Sequence, residues 1–379
     1  MDFELSDEQN AIVETTRQFA HEKLAPGYRD RDRDGSFPRE LWSEMGTLGL
    51  IGCELPESLG GLGLEFLTAG LVQEALAEGD LNFAVMALLN SLNGQIIADS
   101  AAPDVARDWI AKICSGETMF ALGLTEPSGG SDVAHLRLRA RRDGDCFVLD
   151  GEKTSISAAD HADAAVIFAR TGGDGAGGIS AFIVDLNQDG IERTRFDDHG
   201  WRAVARGSIH FDGARIPAGN LLGGENTGFR QVMQGFDYSR ALIGLHCVAV
   251  ARQSLAESWA YAREREAFGR PIADNQGVTF PLAEGETMIE AARLLCLKTL
   301  WLKDNKLPHT TEAAMCKWWA PKVSGDVIRT CLLTHGHGGY SSDMPYEQRM
   351  RDVFGYEIGD GTAQIMKLII SRQKLGRRV

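Results

Sequence analysis

Positive charge is in deficit in this chain: 39 Lys and Arg stand against 53 Asp and Glu, a net charge of -14 over 379 residues. Nucleic acid and anionic membrane surfaces demand a dense positive field, so neither is an expected partner. An anionic ligand must be held by local groups instead. Cysteine is sparse and unpatterned. The seven residues (53, 114, 146, 247, 296, 316 and 331) are odd in number, with no C-x-x-C pair and no zinc-type spacing. They read as reduced thiols filling cores in a reducing compartment, with no metal expected. No basic segment followed by an apolar one opens the chain, and no uncharged apolar run of about eighteen residues stands out. A cytoplasmic protein without membrane insertion is therefore expected. Internal repeats and low-complexity segments are also missing. The Gly-rich stretch 172–178 has no Gly-Lys-Ser/Thr ending and no following helix, which makes it a connecting loop rather than a phosphate loop.

What is present falls into three stretches by hydrophobic period. Ser6 with Gln9 forms a capping box, and Ile12, Thr16, Phe19, Ala20 and Leu24 follow at helical spacing until Pro26. Further helical patterns near 38–47, 66–77, 81–99 and 103–114 make residues 1–116 a helical domain. From Glu117 the period becomes two: Leu136, Leu138 and Ala140 alternate with Arg137, Arg139 and Arg141, and Asp143-Gly144 turns the chain into Phe147-Val148-Leu149. Short strands at 165–169, 181–184, 191–195 and 208–211 continue a central β-domain, a small barrel or sandwich, over 117–225. Helical candidates at 229–263, 278–304, 310–334, 345–356 and 361–376 then suit a four-helix-bundle domain over 226–379. The fold class is α+β.

Two segments carry unusual chemistry. Leu124-Thr125-Glu126-Pro127-Ser128-Gly129-Gly130-Ser131-Asp132 has Gly, Pro and small hydroxyl residues and nothing bulky, so backbone N–H groups can approach an anionic or heteroaromatic ligand. Alone it is equally a plain turn. The second segment runs from Arg265 through Phe268-Gly269 to Gln276. Together the two resemble the flavin-binding signatures of the acyl-CoA dehydrogenase family, whose order of helical, β and helical domains is similar to the order inferred above.

That resemblance implies an FAD-dependent acyl-CoA dehydrogenase. Leu122, Leu124 and Thr125 match positions against the isoalloxazine ring, and Ser131 one near the flavin phosphates and the acyl-CoA. Lys153-Thr154-Ser155-Ile156-Ser157 matches the strand beside flavin N5; Ser155 stands where an aromatic residue is usual, and Ser157 keeps a hydroxyl able to bond N5. Asp237 and Arg240 match the segment that contacts CoA. Arg265, Phe268 and Gln276 match positions reaching the FAD of a neighbouring subunit, which implies a homo-oligomer, commonly a tetramer. Gly336, in a His-Gly-His-Gly-Gly-Tyr turn, matches another FAD contact, although Leu333 replaces the Gln that usually opens that motif.

Gly359-Asp360-Gly361-Thr362-Ala363-Gln364 resembles the C-terminal signature in which a Glu removes the α-proton of the thioester, with Gly361 beside substrate and Thr362 and Gln364 beside cofactor. Here the carboxylate is Asp360, one methylene shorter. Its alternative role, less favoured, is an N-cap for the final helix. Some family members carry the base just before the residue matching Arg240, but Ser239 stands there and cannot serve. The segment is most similar to the cyclohexane-1-carboxyl-CoA dehydrogenase branch, where a tertiary ring carbon loses the proton. An electron-transfer flavoprotein is the implied acceptor. The same scaffold could also run a 1,4-dehydrogenation or a non-oxidative elimination, or bind flavin without dehydrogenase activity.

Overall fold

The structure, a computed structural model, describes residues 4–376. The first helix starts where the capping box puts it: Gln9 N donates to Ser6 Oγ at 3.2 Å, and Ser6 N to Gln9 Oε1 at 3.1 Å. Helices α1 (Asp7–Phe19), α2 (Tyr28–Asp34), α3 (Arg39–Thr47), α4 (Phe66–Gly79), α5 (Leu81–Ser100) and α6 (Pro103–Cys114) precede the strands. After them come α7 (Gly228–Glu264), α8 (Gln276–Asp304), α9 (Thr310–Thr334), a single turn α10 (His337–Tyr340), α11 (Tyr346–Ile358) and α12 (Ala363–Lys374). The order is an N-terminal helical domain, a central β domain and a C-terminal helical domain. Helix α5 corrects one expectation. No charged residue occurs from Leu81 to Ala98, so the helix is long and apolar enough to cross a membrane by length and composition. Of its apolar window 83% is buried inside the protein, the signature of a core helix.

By contacts the chain forms two compact units. One contains the chain up to Arg33, Phe66–Ala84 and everything from Arg240 onward. Within it α9 packs on α8, α11 and α12, and α4 on α1 and α8. Helix α4 is drawn in closely at Gly70, where a Cβ would stand 2.2 Å from Leu300 Cδ1. It is also pinned by charge: the buried Glu74 carboxylate accepts from Arg293 Nε and Nη2 at 2.7 and 2.9 Å and from Arg252 Nη1 at 3.1 Å. A buried carboxylate is tolerable only when matched in this way.

The other unit, Asp34–Glu65 with Val85–Ser239, holds an eight-stranded sheet. Its strands are β1 (Phe120–Gly123), β2 (Arg139–Asp143), β3 (Cys146–Ile156), β4 (Ala164–Arg170), β5 (Ile179–Asp185), β6 (Ile191–Arg195), β7 (Gly207–Pro217) and β8 (Leu221–Leu222). They run in the order β6-β7-β3-β2-β4-β5-β8, with β1 parallel on β4. The β2–β3 hairpin turns after Asp143, with Gly144 at φ 62°. The expected strand from Leu136 begins only at Arg139. The N–H groups of Arg137 and Leu138 donate not to a neighbouring strand but to the Glu126 carboxylate, at 2.6 and 2.9 Å.

Candidate active site

In the sheet unit, β1 delivers the chain into the loop Leu124–Asp132. Leu122 and Thr125 are half-buried, Leu124 is buried, and Pro127 to Asp132, Ser131 included, are exposed. Lys153 of β3 lies under this loop with no exposed surface, donating to Leu124 O at 3.0 Å and to Glu126 Oε1 at 2.8 Å. Burial pulls the Lys153 ammonium down to about 8, against the opposing pull of Glu126. Burial pushes the Glu126 carboxyl up, but Lys153 and the two backbone donors outweigh it and leave it below its ordinary range. Next along β3, Thr154 N donates to Thr125 O at 2.9 Å. The loop and the Lys153–Ser157 segment, matched separately from sequence, are thus joined.

Strand β3 slips register between Lys153 and Ile156, and Ser155 within the slip is exposed with φ 56°. Ser157, expected on the strand, lies half-buried in the turn just after it. The open face of the loop suits a flavin nucleotide. A Cβ on Gly129 would meet nothing within 4 Å, and one on Gly130 only Thr125 Cγ2 at 3.6 Å, so hydroxyls and backbone are what a ligand meets there. Sequence reasoning missed the partnership beneath: Glu126 was seen only as a loop residue and Lys153 as a strand position. Helix α7 carries half-buried Asp237 and buried Ser239, whose hydroxyl donates to Phe236 O at 3.4 Å.

In the bundle unit the turn between α11 and α12 holds Asp360. The cap of α12 is Thr362, whose hydroxyl accepts from Ile365 N at 3.5 Å. The alternative assignment of Asp360 as that cap is therefore corrected: Asp360 stands two residues before it, with φ 54°, followed by Gly361 at φ 96°. The left-handed region favours short polar side chains at the first position and glycine at the second. Lys317 of α9, fully buried, donates to Gly361 O at 2.8 Å. Burial lowers its ammonium to about 8, while the Asp360 carboxylate pulls the other way and buried Arg240 of α7 adds to the lowering. Asp360, Gly361, Lys317 and Arg240 therefore belong to one cluster, with Thr362 and exposed Gln364 at the adjoining start of α12. Behind it, Tyr356 Oη and His246 Nδ1 are 2.7 Å apart, and His246 Nε2 lies 2.9 Å from Gln73 Oε1. Burial drops His246 to about 3, so its ring is neutral.

The remaining expected positions lie on exposed parts of the bundle unit. Arg265 and Gln276 flank a two-stranded hairpin, Glu266–Ala267 with Arg270–Pro271, and Phe268 sits fully exposed at its tip with φ 54°. Gly336 occupies an exposed turn at φ 59°. The neighbouring His335 is packed structurally, stacked 4.2 Å from Tyr261 with its Nε2 3.1 Å from Tyr346 Oη.

Comparison with known proteins agrees with this layout. Family models match in chain order: acyl-CoA dehydrogenase N-terminal domain at residues 6–117, middle domain at 121–214 and C-terminal domain at 226–375. The "Probable acyl-CoA dehydrogenase YngJ" of Bacillus subtilis is 35% identical over 99% of this chain and 100% of its own. The caffeyl-CoA reductase-Etf complex subunit CarC of Acetobacterium woodii is 33% identical over 97% of this chain and 98% of its own. Among solved structures, butyryl-CoA dehydrogenase from Megasphaera elsdenii superposes with TM-score 0.96 at 30% identity, covering 99% of this chain and 100% of that one. A glutaryl-CoA dehydrogenase from Mycobacterium smegmatis in complex with FADH2 superposes with TM-score 0.93 at 25% identity, covering 99% and 96%. A loop open to a flavin, a carboxylate in a clustered turn, and family models along nearly the whole length lead to one conclusion: the chain belongs to the acyl-CoA dehydrogenase family and is an FAD-dependent oxidoreductase acting on acyl-CoA thioesters.

Proposed function

We propose that Asp360 is the base that removes the α-proton of the thioester. What carries this is the turn: Thr362 does the capping of α12, while Asp360 is held in a left-handed conformation in the cluster around buried Lys317 and Arg240. Such a proton is weakly acidic, so the carboxylate must sit in a dry, charge-matched site. Bound FAD would supply the oxidant for the hydride that leaves the β-carbon. In the sheet unit, Leu122, Leu124 and Thr125 would hold the flavin ring from a loop fixed by Lys153, with Ser157 able to donate to N5 and Ser155 and Ser131 as further contacts; in the bundle unit, Gly336, Thr362 and Gln364 are the FAD-contact positions. For the acyl-CoA, the contact positions are Ser131 and Asp237 in the sheet unit, and Arg240 and Gly361 in the bundle unit.

The acyl group is α-branched or alicyclic, cyclohexane-1-carboxyl-CoA being the model substrate. Asp360 is one methylene shorter than the usual Glu, which leaves room for a crowded α-carbon, and a displacement of about 1 Å at a reacting centre costs on the order of a hundredfold in rate. Arg265, Phe268 and Gln276 reach the cofactor of a second copy in a homo-oligomer, most simply a tetramer; an aromatic ring left fully exposed at a hairpin tip supports this. Electrons pass to an electron-transfer flavoprotein, as the name of the Acetobacterium relative suggests. Seven unpaired thiols support a cytoplasmic, reducing setting.

Flavin bleaching after anaerobic mixing with a series of thioesters tests the substrate. Cyclohexane-1-carboxyl-CoA should reduce the flavin faster than butyryl-CoA, and Asp360→Glu should shift the ratio toward butyryl-CoA. A ratio that favours butyryl-CoA in the wild type and does not move in Asp360→Glu would remove the cyclic substrate while leaving the base in place.

A further inference from the structure

We infer that Lys317 is the positioning residue of the catalytic carboxylate: its buried ammonium, anchored on the Gly361 carbonyl, fixes the turn that carries Asp360 and sets a positive charge against that carboxylate. The assignment rests on Asp360 being the base.

An ammonium with no exposed surface is costly unless something demands it. Its bond to Gly361 O at 2.8 Å falls on the peptide after two successive left-handed residues, φ 54° and 96°. Glycine adds the most backbone freedom of any residue, so this turn would be soft without an anchor. Helix α9, packed on α8, α11 and α12, supplies a rigid one. A neutral donor would suffice for anchoring alone, and the charge therefore needs a separate reason. The groups that face it are the carboxylates of Asp360 and of Glu357 on α11, the Cys247 thiol and the Arg240 guanidinium on α7. Burial pushes the Cys247 thiol up, so it stays neutral. That leaves two cations against two carboxylates. With Lys317 charged up to about pH 8, the ammonium is in place across the whole range in which a carboxylate titrates. An opposite charge nearby favours the ionised carboxylate. A half-buried base thus faces a positive charge while its turn is held still.

The test is the pH dependence of flavin reduction in the FAD-loaded protein, with cyclohexane-1-carboxyl-CoA and butyryl-CoA as probes, in the wild type, Lys317→Gln, Lys317→Met, Lys317→Arg and Asp360→Asn. Lys317→Gln keeps a donor for the Gly361 carbonyl and loses only the charge. It should retain FAD and bind the thioester, yet move the acid limb of the profile up by about one pH unit or more. Lys317→Met, losing anchor and charge together, should show the same shift and a further drop in the limiting rate of about tenfold or more. Lys317→Arg should restore the wild-type limb. A lysine needed only for packing would lower FAD content without moving the limb, so an unmoved limb in Lys317→Gln overturns the assignment. If Lys317→Gln cannot be obtained folded, an acid limb in Lys317→Arg displaced as far as in Lys317→Met overturns it equally. Near-normal reduction in Asp360→Asn would instead bring down the base itself. An inactive Asp360→Asn beside an unmoved limb in the Lys317 variants removes only the role given to Lys317.

Discussion

Lys153 and Lys317 are both fully buried, and each ammonium is held on a backbone carbonyl, of Leu124 in one case and Gly361 in the other. Both carbonyls belong to segments that the sequence marks as functional, which explains why buried charge is tolerated at these two places. The Lys153–Glu126 pair offers a direct measure. Glu126→Ala strips the counter-charge and two acceptors from Lys153, Arg137 and Leu138. Breaking one side of a buried pair costs about 3–5 kcal/mol. Denaturant unfolding of the FAD-loaded protein should show a loss of that size together with weaker FAD retention, whereas a loss under about 1 kcal/mol would mean the pair is solvated and the loop is held otherwise. Neither lysine was legible as a structural device. Lys153 was placed only on a strand, and Lys317 sits in a helical pattern that says nothing about a carbonyl arriving from residue 361. Asp360 was singled out through the resemblance of residues 359–364 to the family's C-terminal signature, but its local role was open: the same residues suit a helix start at Asp360, and the consecutive left-handed residues with the cap at Thr362 decide against it.

Elements with a clear period were read closely, and those without one were missed for identifiable reasons. Helix α9 appears over the span its spacing gave, and α1 starts at its capping box. Helix α2 has no apolar stripe to read. Its sequence is Tyr-Arg-Asp-Arg-Asp-Arg-Asp, and it is held by Tyr28 Oη on Asp352 at 2.9 Å, Arg31 Nε on Asp80 at 2.9 Å and Asp32 on Arg351 at 2.7 Å. Strand β1 is only four residues long, mostly buried and parallel, so it lacks alternation. The Phe268 hairpin was legible as a motif but not as a shape. Its fully exposed ring at φ 54° is the observation behind the proposed contact with a second copy. Phe268→Ala or Arg265→Ala should lower FAD occupancy and subunit association together, read by flavin absorbance and by light scattering on the same sample. A monomer that keeps full FAD occupancy would show that each site is built from one chain.

The order of helical, β and helical domains was visible in the whole chain because the hydrophobic period changes from 3.6 to 2 and back. The grouping of Phe66–Ala84 with the C-terminal helices was not, since it depends on long-range matches such as Glu74 with Arg252 and Arg293 that no local pattern encodes. Nor was the burial of α5, whose composition alone also suits a membrane span. The proposed removal of the thioester α-proton by Asp360 is the step most open to a direct test. Asp360→Asn isolates it: asparagine tolerates the left-handed backbone at this position and leaves the Thr362 cap untouched, but an amide cannot take the proton. On anaerobic rapid mixing of FAD-loaded protein with cyclohexane-1-carboxyl-CoA and with butyryl-CoA, the wild type should bleach its flavin, and Asp360→Asn should bind both FAD and thioester yet reduce the flavin slower by several orders of magnitude. Reduction by Asp360→Asn at a near-normal rate would place the base elsewhere and contradict the account.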